Sequence, residues 1–369
     1  MVDALKGNKK ILIIAGIILL IPILIIVFLA IFQGCANKKI TPQEYEQKMI
    51  SAAEMYLKEK EKLPKEESAV ESVDLSVLVK GKYIKSTEEL IGDSSCNGIV
   101  TVRKNGSTVP ENEGGYFNYL TSLDCKEYKT KNLKESLLKD LTTTGSGLYQ
   151  ENNYYVYKGD MVNNYIKFFG VNYRIINMNQ DGVVKLIKSE SESLDSYWDN
   201  KYNVEVSDMY GKNIYADSTI LKEIIDDYKN TKVIKANARK HIVSTEVCVD
   251  SRETNDGSIG NYNCVNKLEK QVISLLDVSD FAKASLDPEC NSIFSKSCGN
   301  YNYMKRLNLH TWTPVAVSNN SYQVYYLTNG IIKYQEASIY QNYNLVLHID
   351  GEEKIVSGKG TEAEPYVIE

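Results

Sequence analysis

The residues of this 369-residue chain with the most chemistry to offer are its seven cysteines. Cys35 stands three residues after an apolar run, and Cys96, Cys125, Cys248, Cys264, Cys290 and Cys298 lie beyond it. An even number of thiols after an apolar segment reads as three disulfides, which persist in an oxidising space outside the cytoplasm. Sequence does not give the pairing, though joining nearest neighbours closes loops inside each apparent module. Loops of that length stabilise by roughly 2.5–3.5 kcal/mol each on a chain-entropy model. Reduced structural thiols are the alternative. A zinc site would want a Cys-x2-Cys knuckle, and none occurs, so no metal or other cofactor is expected.

The remaining candidates argue against catalysis. His241, His310 and His348 have no cysteine or carboxylate at ligand-like spacing and read as satisfied structural residues. There is no Gly-x-Ser-x-Gly elbow, no phosphate loop at Ser357–Thr361 and no Asp-rich calcium loop. Glu190 with Glu192, and Asp226 with Asp227, are carboxylate pairs better read as solvated faces. Three aromatic residues are ligand-binding candidates: Trp198 in Ser-Tyr-Trp-Asp-Asn, a loop-like setting where an exposed ring could stack on a sugar or peptide; Trp312; and Tyr173. Trp312 opens an inner strand and reads first as core.

Whatever these residues do is placed by the N-terminus. Ile11 to Phe32 carries no charge and at about 1.5 Å per residue reaches roughly 33 Å, enough to cross a bilayer. Cleaved signals have shorter apolar regions. Lys6, Lys9 and Lys10 before the run and Lys38 and Lys39 after it favour a cytoplasmic N-terminus. The expectation is a single-pass membrane protein with its later domains outside the cell and the bilayer as its first partner. Phe32-Gln33-Gly34-Cys35 is similar to a bacterial lipoprotein signal, which implies a lipidated Cys35, although Phe32 replaces the usual leucine.

A net charge of −5, and no basic stripe interleaved with aromatics, exclude a nucleic-acid partner. Only five basic residues are arginine while tyrosines number 27, a bias resembling that of an AT-rich bacterial genome.

Four segments follow: a tail and anchor at 1–40, a spacer domain at 41–130, a linker at 131–150 and a larger domain at 151–369. Thr41-Pro42-Gln43-Glu44 is a capping box with proline at the first helical position. Tyr45, Met49, Ala52, Ala53 and Tyr56 follow at helical spacing. Pro64 ends that helix, and a short one runs from Asp74 to Lys80, closed by Gly81. Val100–Val109 reads as a hairpin turning at Asn105-Gly106, with a further strand from Gly115 to Leu120. This order resembles the head of bacterial pseudopilin-like proteins, over residues 41–128, without their processing motif. Thr142-Thr143-Thr144-Gly145-Ser146-Gly147 reads as a flexible joint.

Beyond it, Tyr154–Lys158, Asn164–Ile176 and Val183–Ile187 read as an antiparallel meander. Ser218–Tyr228 is a capped amphipathic helix, and Val272–Phe281 a buried strand running into a helix. Strands at Trp312–Pro314, Tyr322–Thr328, Ile331–Ser338 and Tyr343–Ile349 complete one sheet. The order Tyr173–Ile176, Ser218–Tyr228, Val272–Ala284, the Cys290–Cys298 loop, Trp312–Pro314 and the terminal Ser357–Thr361 with Pro365–Ile368 resembles a C-terminal domain of unknown function in membrane-anchored surface proteins of gut Firmicutes. Tyr173 and Asn344 stand where tryptophan and arginine are usual. That resemblance implies an α+β fold of C-type-lectin-like or formylglycine-generating-enzyme-like type.

The sequence therefore predicts an α+β protein: a transmembrane helix, a small pilin-head-like domain and a larger antiparallel domain. The expected function is extracellular binding or adhesion, with a glycan, cell-wall or protein ligand. A surface enzyme acting on glycans or oxidised thiols, or a pseudopilus component, is the alternative.

Overall fold

The computed structural model describes residues 39–104, 117–189, 194–230, 232–260 and 264–369. The expected membrane span, Cys35, the Asn105-Gly106 turn and the Glu190–Glu192 pair fall outside these residues. Among those described, no helix is long and apolar enough to cross a membrane.

The first helix, α1 (Pro42–Glu59), starts where the capping box places it: Thr41 Oγ1 accepts from Glu44 N–H, and Glu44 returns a bond to the Thr41 N–H. Tyr45, Met49, Ala52, Ala53 and Leu57 form its buried stripe. That stripe packs on β1 (Val70–Asp74), α2 (Leu75–Lys80) and the strands that follow. The helix stops at Lys60, ahead of Pro64. After α3 (Thr87–Leu90), β2 (Asn97–Lys104) and β3 (Phe117–Asp124) pair antiparallel in full register, completing a β1-β2-β3 sheet. Each Leu or Met fully buried here contributes about 1.5–3 kcal/mol. The Cys96–Cys125 disulfide ties the far ends of β2 and β3.

Both ends of the expected 131–150 linker join the second core, while Thr143, Thr144 and Gly145 between them are exposed. In α4 (Leu133–Leu137) both terminal leucines are fully buried, and β4 (Gly147–Glu151) places Leu148 in the same cluster. Gly147 and Gly159 serve close approach. A Cβ on Gly147 would lie 2.6 Å from Thr142 Cγ2, and one on Gly159 2.2 Å from Ser146 Oγ.

Next come β5 (Tyr154–Lys158), β6 (Tyr165–Phe168), β7 (Val171–Asn179), β8 (Val183–Lys188) and β9 (Leu194–Tyr197). Helix α5 (Thr219–Lys229) follows, capped by Ser218 Oγ as expected, then α6 (Ala236–Arg239). Two strands, β10 (Thr245–Cys248) and β11 (Lys267–Gln271), form a ribbon of their own. The predicted buried strand and helix are β12 (Ile273–Leu275) and α7 (Val278–Lys283). The rest comprises β13 (His310–Ala316), β14 (Gln323–Thr328), β15 (Ile331–Glu336), β16 (Tyr340–Tyr343), β17 (Leu345–Asp350) and β18 (Tyr366–Ile368).

These strands do not make the one sheet expected. The main sheet runs β12-β17-β8-β7-β5-β4, with β6 on β7 and β18 parallel to β6, while β13-β14-β15 and β9-β16 are separate. The division falls at Asn344, which interrupts the predicted Tyr343–Ile349 strand between β16 and β17. The fold is α+β with mostly antiparallel pairing. At the C-terminus, Gly358 is at φ +98°, where a Cβ would meet Pro365 O at 1.9 Å; that turn brings β18 back alongside β6.

A polar seam joins the two cores. Arg103 of β2 donates twice to one oxygen of Asp350, at 2.9 and 2.6 Å. Asn118 Nδ2 and His241 Nδ1 both bond Glu353 Oε1, at 2.7 and 2.8 Å. Glu46, fully buried on α1, is met by Lys354, Thr130 and Tyr128.

Candidate functional site

The largest disagreement with the sequence concerns Trp198. Trp198, expected in an exposed loop, is 0% exposed. Its indole N–H donates to Thr313 O at 2.8 Å, while the Trp312 N–H donates to Ser196 O at 3.0 Å. The two indoles thus cross-link the end of β9 to β13, each satisfying a backbone carbonyl beside the other. Tyr173 is also buried, packed edge-on against Phe168. None of the three presents an exposed ring, so the ligand-binding candidacy of Trp198 and Tyr173 is corrected to a core role, and the first reading of Trp312 as core stands.

The cysteines divide into two kinds. Cys96–Cys125 and Cys290–Cys298 are disulfide-bonded, as nearest-neighbour pairing anticipates. Cys248 and Cys264, expected to form the third bond, are free thiols. They are nonetheless neighbours: both sulfurs and a carboxylate oxygen of Asp250 lie within 4.8 Å of one another. The Asp250 carboxylate accepts the N–H groups of Val265 and Asn266, at 2.8 and 2.7 Å, and lies 3.9 Å from Cys248 Sγ. Those bonds keep Asp250 beside the sulfurs. Burial opposes its charge, but the two backbone N–H groups prevail and hold its carboxyl below the ordinary value. Burial pushes both thiols upward.

The thiols stand in the wall of a cavity of about 240 Å³. Its floor is a row across three strands of the main sheet: Asn177 of β7 is paired with Lys185 of β8, and Lys185 with His348 of β17. Ser274 of β12 and the α7 N-terminal residues Asp277 and Ser279 form one side. Glu246 and Cys248 of β10, with Asp250 and Arg252, form another, while Pro314 and Val315 of β13 supply apolar surface.

The charges on this lining are already engaged by ion pairs or hydrogen bonds. Lys185 pairs with the buried Asp280, whose carboxyl burial pushes above the usual range despite that cation. Lys267 meets Glu246 at 2.5 Å. Arg252 donates to Ser258 O at 2.6 Å and reaches Ser279 Oγ at 3.4 Å. Gly260 leaves room for that guanidinium, since a Cβ there would approach Nη2 to 2.6 Å. His348 Nδ1 shares a hydrogen with Thr245 Oγ1 at 3.1 Å. Burial, and then Lys185, lower its pKa to about 3, so the ring is neutral at ordinary pH. Neither a thiol–imidazole nor a carboxylate–imidazole bond occurs on this lining among the described residues. The arrangement offers fixed donors and acceptors of balanced charge.

Of the other chemical candidates, His310 bonds Thr328 Oγ1 at 2.7 Å and Asp227 pairs with Lys232 at 2.7 Å. Besides Cys248–Asp250–Cys264, Asp93 with Cys96 and Cys125 gathers three ligand-type atoms, but there the sulfurs are spent in a disulfide.

Sequence reasoning missed this cavity, yet one signal was available. Asn177 in Ile-Ile-Asn-Met, Ser274 in Val-Ile-Ser-Leu-Leu and His348 in Leu-Val-Leu-His-Ile each interrupt an apolar strand with a polar residue. A polar side chain facing inward needs a partner or a wet space, and all three face the same one. Compared with known protein families, curated proteins and solved structures, the chain matches none.

Proposed function

We propose that this chain is a membrane-anchored, extracellular recognition protein of a bacterial surface that binds a small, neutral, polar ligand in the 240 Å³ cavity. The carrying observation is the lining: three cations and three carboxylates, each already engaged by an ion pair or hydrogen bond, present leftover donors and acceptors alongside a short apolar strip. Such a surface has little to offer a strongly charged ligand and much to offer hydroxyl and amide groups, which exchange hydrogen bonds without desolvating an ion. The volume lies slightly under the roughly 300–1,000 Å³ typical of drug-sized ligands. One sugar ring of a wall glycan, or one residue of its peptide, is the matching size.

Binding is favoured over catalysis because the one histidine on the lining is held neutral by a low pKa of about 3 and bonded to a threonine. A general base wants a pKa nearer the working pH. The anchor follows from the uncharged Ile11–Phe32 run, and the C-type-lectin-like relationship from the order of motifs in residues 154–369. The test is an array of glycans and solubilised cell-wall fragments probed with the full-length protein and with Ser274→Leu, which fills the cavity. Signals lost in the variant support the reading; signals equal in both place the binding surface elsewhere.

A further inference from the structure

Two of the three cysteine pairs beyond the anchor are bonded, and the third is not. The difference lies in where each pair sits. Cys96–Cys125 joins the ends of two paired strands, and Cys290–Cys298 closes a short loop whose Cys298 is buried at 1% exposure. Cys248 and Cys264 lie where the β10–β11 ribbon ends, bridged one residue further on by the Val249 N–H to Asn266 O bond of 2.9 Å. Both are partly exposed, and Val265 beside Cys264 is 90% exposed. Between them in the chain are Asp250 and Arg252, two of the residues that wall the cavity.

We propose that Cys248 and Cys264 are a reversible dithiol–disulfide site, oxidised by an external disulfide, whose bond fastens the cavity wall carrying Asp250 and Arg252. The sulfurs already lie within 4.8 Å; Cys248 ends β10, and the Val249–Asn266 bond ties the chain two residues beyond Cys264, so a shift of the side chains toward the roughly 2.05 Å bonding distance leaves the strand pairing in place. The chemistry is thiol–disulfide exchange. The Cys264 sulfur, as thiolate, attacks a disulfide RS–SR, releasing RS⁻ and leaving Cys264 in a mixed disulfide. The Cys248 sulfur then attacks the Cys264 sulfur and expels the second RS⁻. Two protein thiols and one RS–SR become one protein disulfide and two RSH, with the two thiol protons ending on the released thiols. The external disulfide is the oxidant and gains both electrons. Asp250 keeps a carboxylate beside the pair, which disfavours a lingering thiolate and sets this site apart from a low-pKa nucleophile. The site is independent of which ligand the cavity takes.

The test uses the full-length protein, glutathione disulfide, differential alkylation and peptide mass spectrometry. After mild reduction that opens the Cys248–Cys264 link but leaves Cys96–Cys125 and Cys290–Cys298 joined, glutathione disulfide should restore a linked 248–264 peptide pair and release two glutathiones per chain. Cys248→Ser should stop halfway, with one glutathione released and one retained on Cys264. The wild-type stoichiometry decides the matter even if the variant fails to fold. The proposal is overturned if both thiols of the wild type alkylate unchanged after glutathione disulfide, or if each ends as a separate glutathione adduct. It is equally overturned if the purified protein carries one zinc per chain that blocks alkylation of both thiols, which would make Cys248, Asp250 and Cys264 a metal site.

Discussion

Two charged regions of this molecule use the same residue types to opposite ends. At the seam, Asp350, Glu353 and Glu46 meet Arg103, Asn118 and Lys354 across the junction, while His241 bonds Glu353 from the larger unit's own side. Polar capacity there is consumed in holding the small α1–β3 unit to the larger one. In the cavity wall, Lys185–Asp280 and Lys267–Glu246 also pair, but their free faces, with Asn177, Ser274 and Ser279, open onto empty space. Paired charge with nothing left over is glue; paired charge with unspent hydrogen-bonding capacity is what the proposed binding site requires. The comparison separates what mutation should do in each place.

The largest expected effect is at the seam. Asp350→Ala leaves the mostly buried Arg103 guanidinium without its carboxylate and should cost about 3 kcal/mol, read as a lowered unfolding midpoint in denaturant. Arg103→Ala combined with Asp350→Ala should cost less than the sum of the two single changes. Ligand binding should survive in any variant that remains folded.

Next is Trp198→Phe, which strips the N–H donor from Thr313 O and should destabilise by about 1–3 kcal/mol without weakening binding. A stable variant with lost binding would instead restore Trp198 as a ligand contact. In the cavity the pattern reverses: Ser274→Leu should lower affinity at least about tenfold, ~1.4 kcal/mol, with little change in unfolding midpoint because the added atoms occupy empty space.

A pH series should show a gentler effect, since the His348 ring is only partly enclosed. Its folded pKa of about 3 lies below the ordinary 6.5, so the unfolded chain takes up the proton first. Stability contributed by this residue is complete above about pH 6.5 and is lost as pH falls toward 3. The thermal midpoint should therefore drop with acid less steeply in His348→Gln than in the wild type. The smallest effect belongs to the exposed Lys58–Glu54 pair: Glu54→Ala should change stability by less than about 0.5 kcal/mol.

Legibility from sequence followed the range of the interactions. Thr41-Pro42-Gln43-Glu44, Ser218 before α5 and the Gly81 stop after α2 carry their reasons within a few residues, and all three appear where expected. The β12–α7 unit was equally clear, because an apolar run into Asp277 is a strand followed by a cap. Readings failed where a distant partner decides the outcome. Ser-Tyr-Trp-Asp-Asn is locally polar, but Trp198 is claimed by Thr313, 115 residues on. The threonine–glycine run at 142–147 lacks apolar bulk, so it read as a joint; in place, a Cβ on its Gly147 would meet Thr142, and Leu148 just after it joins the core. The cavity draws on β7, β8, β10, β12, β13 and β17, and no local pattern reports that convergence.

The most direct test of the receptor claim is hydrogen exchange of the full-length protein with and without a soluble digest of bacterial cell wall. The account predicts added protection in residues 245–252 and 272–279, which wall the cavity, and none at the seam around 350–355. Protection at the seam, or anywhere else with the cavity segments unchanged, would contradict it.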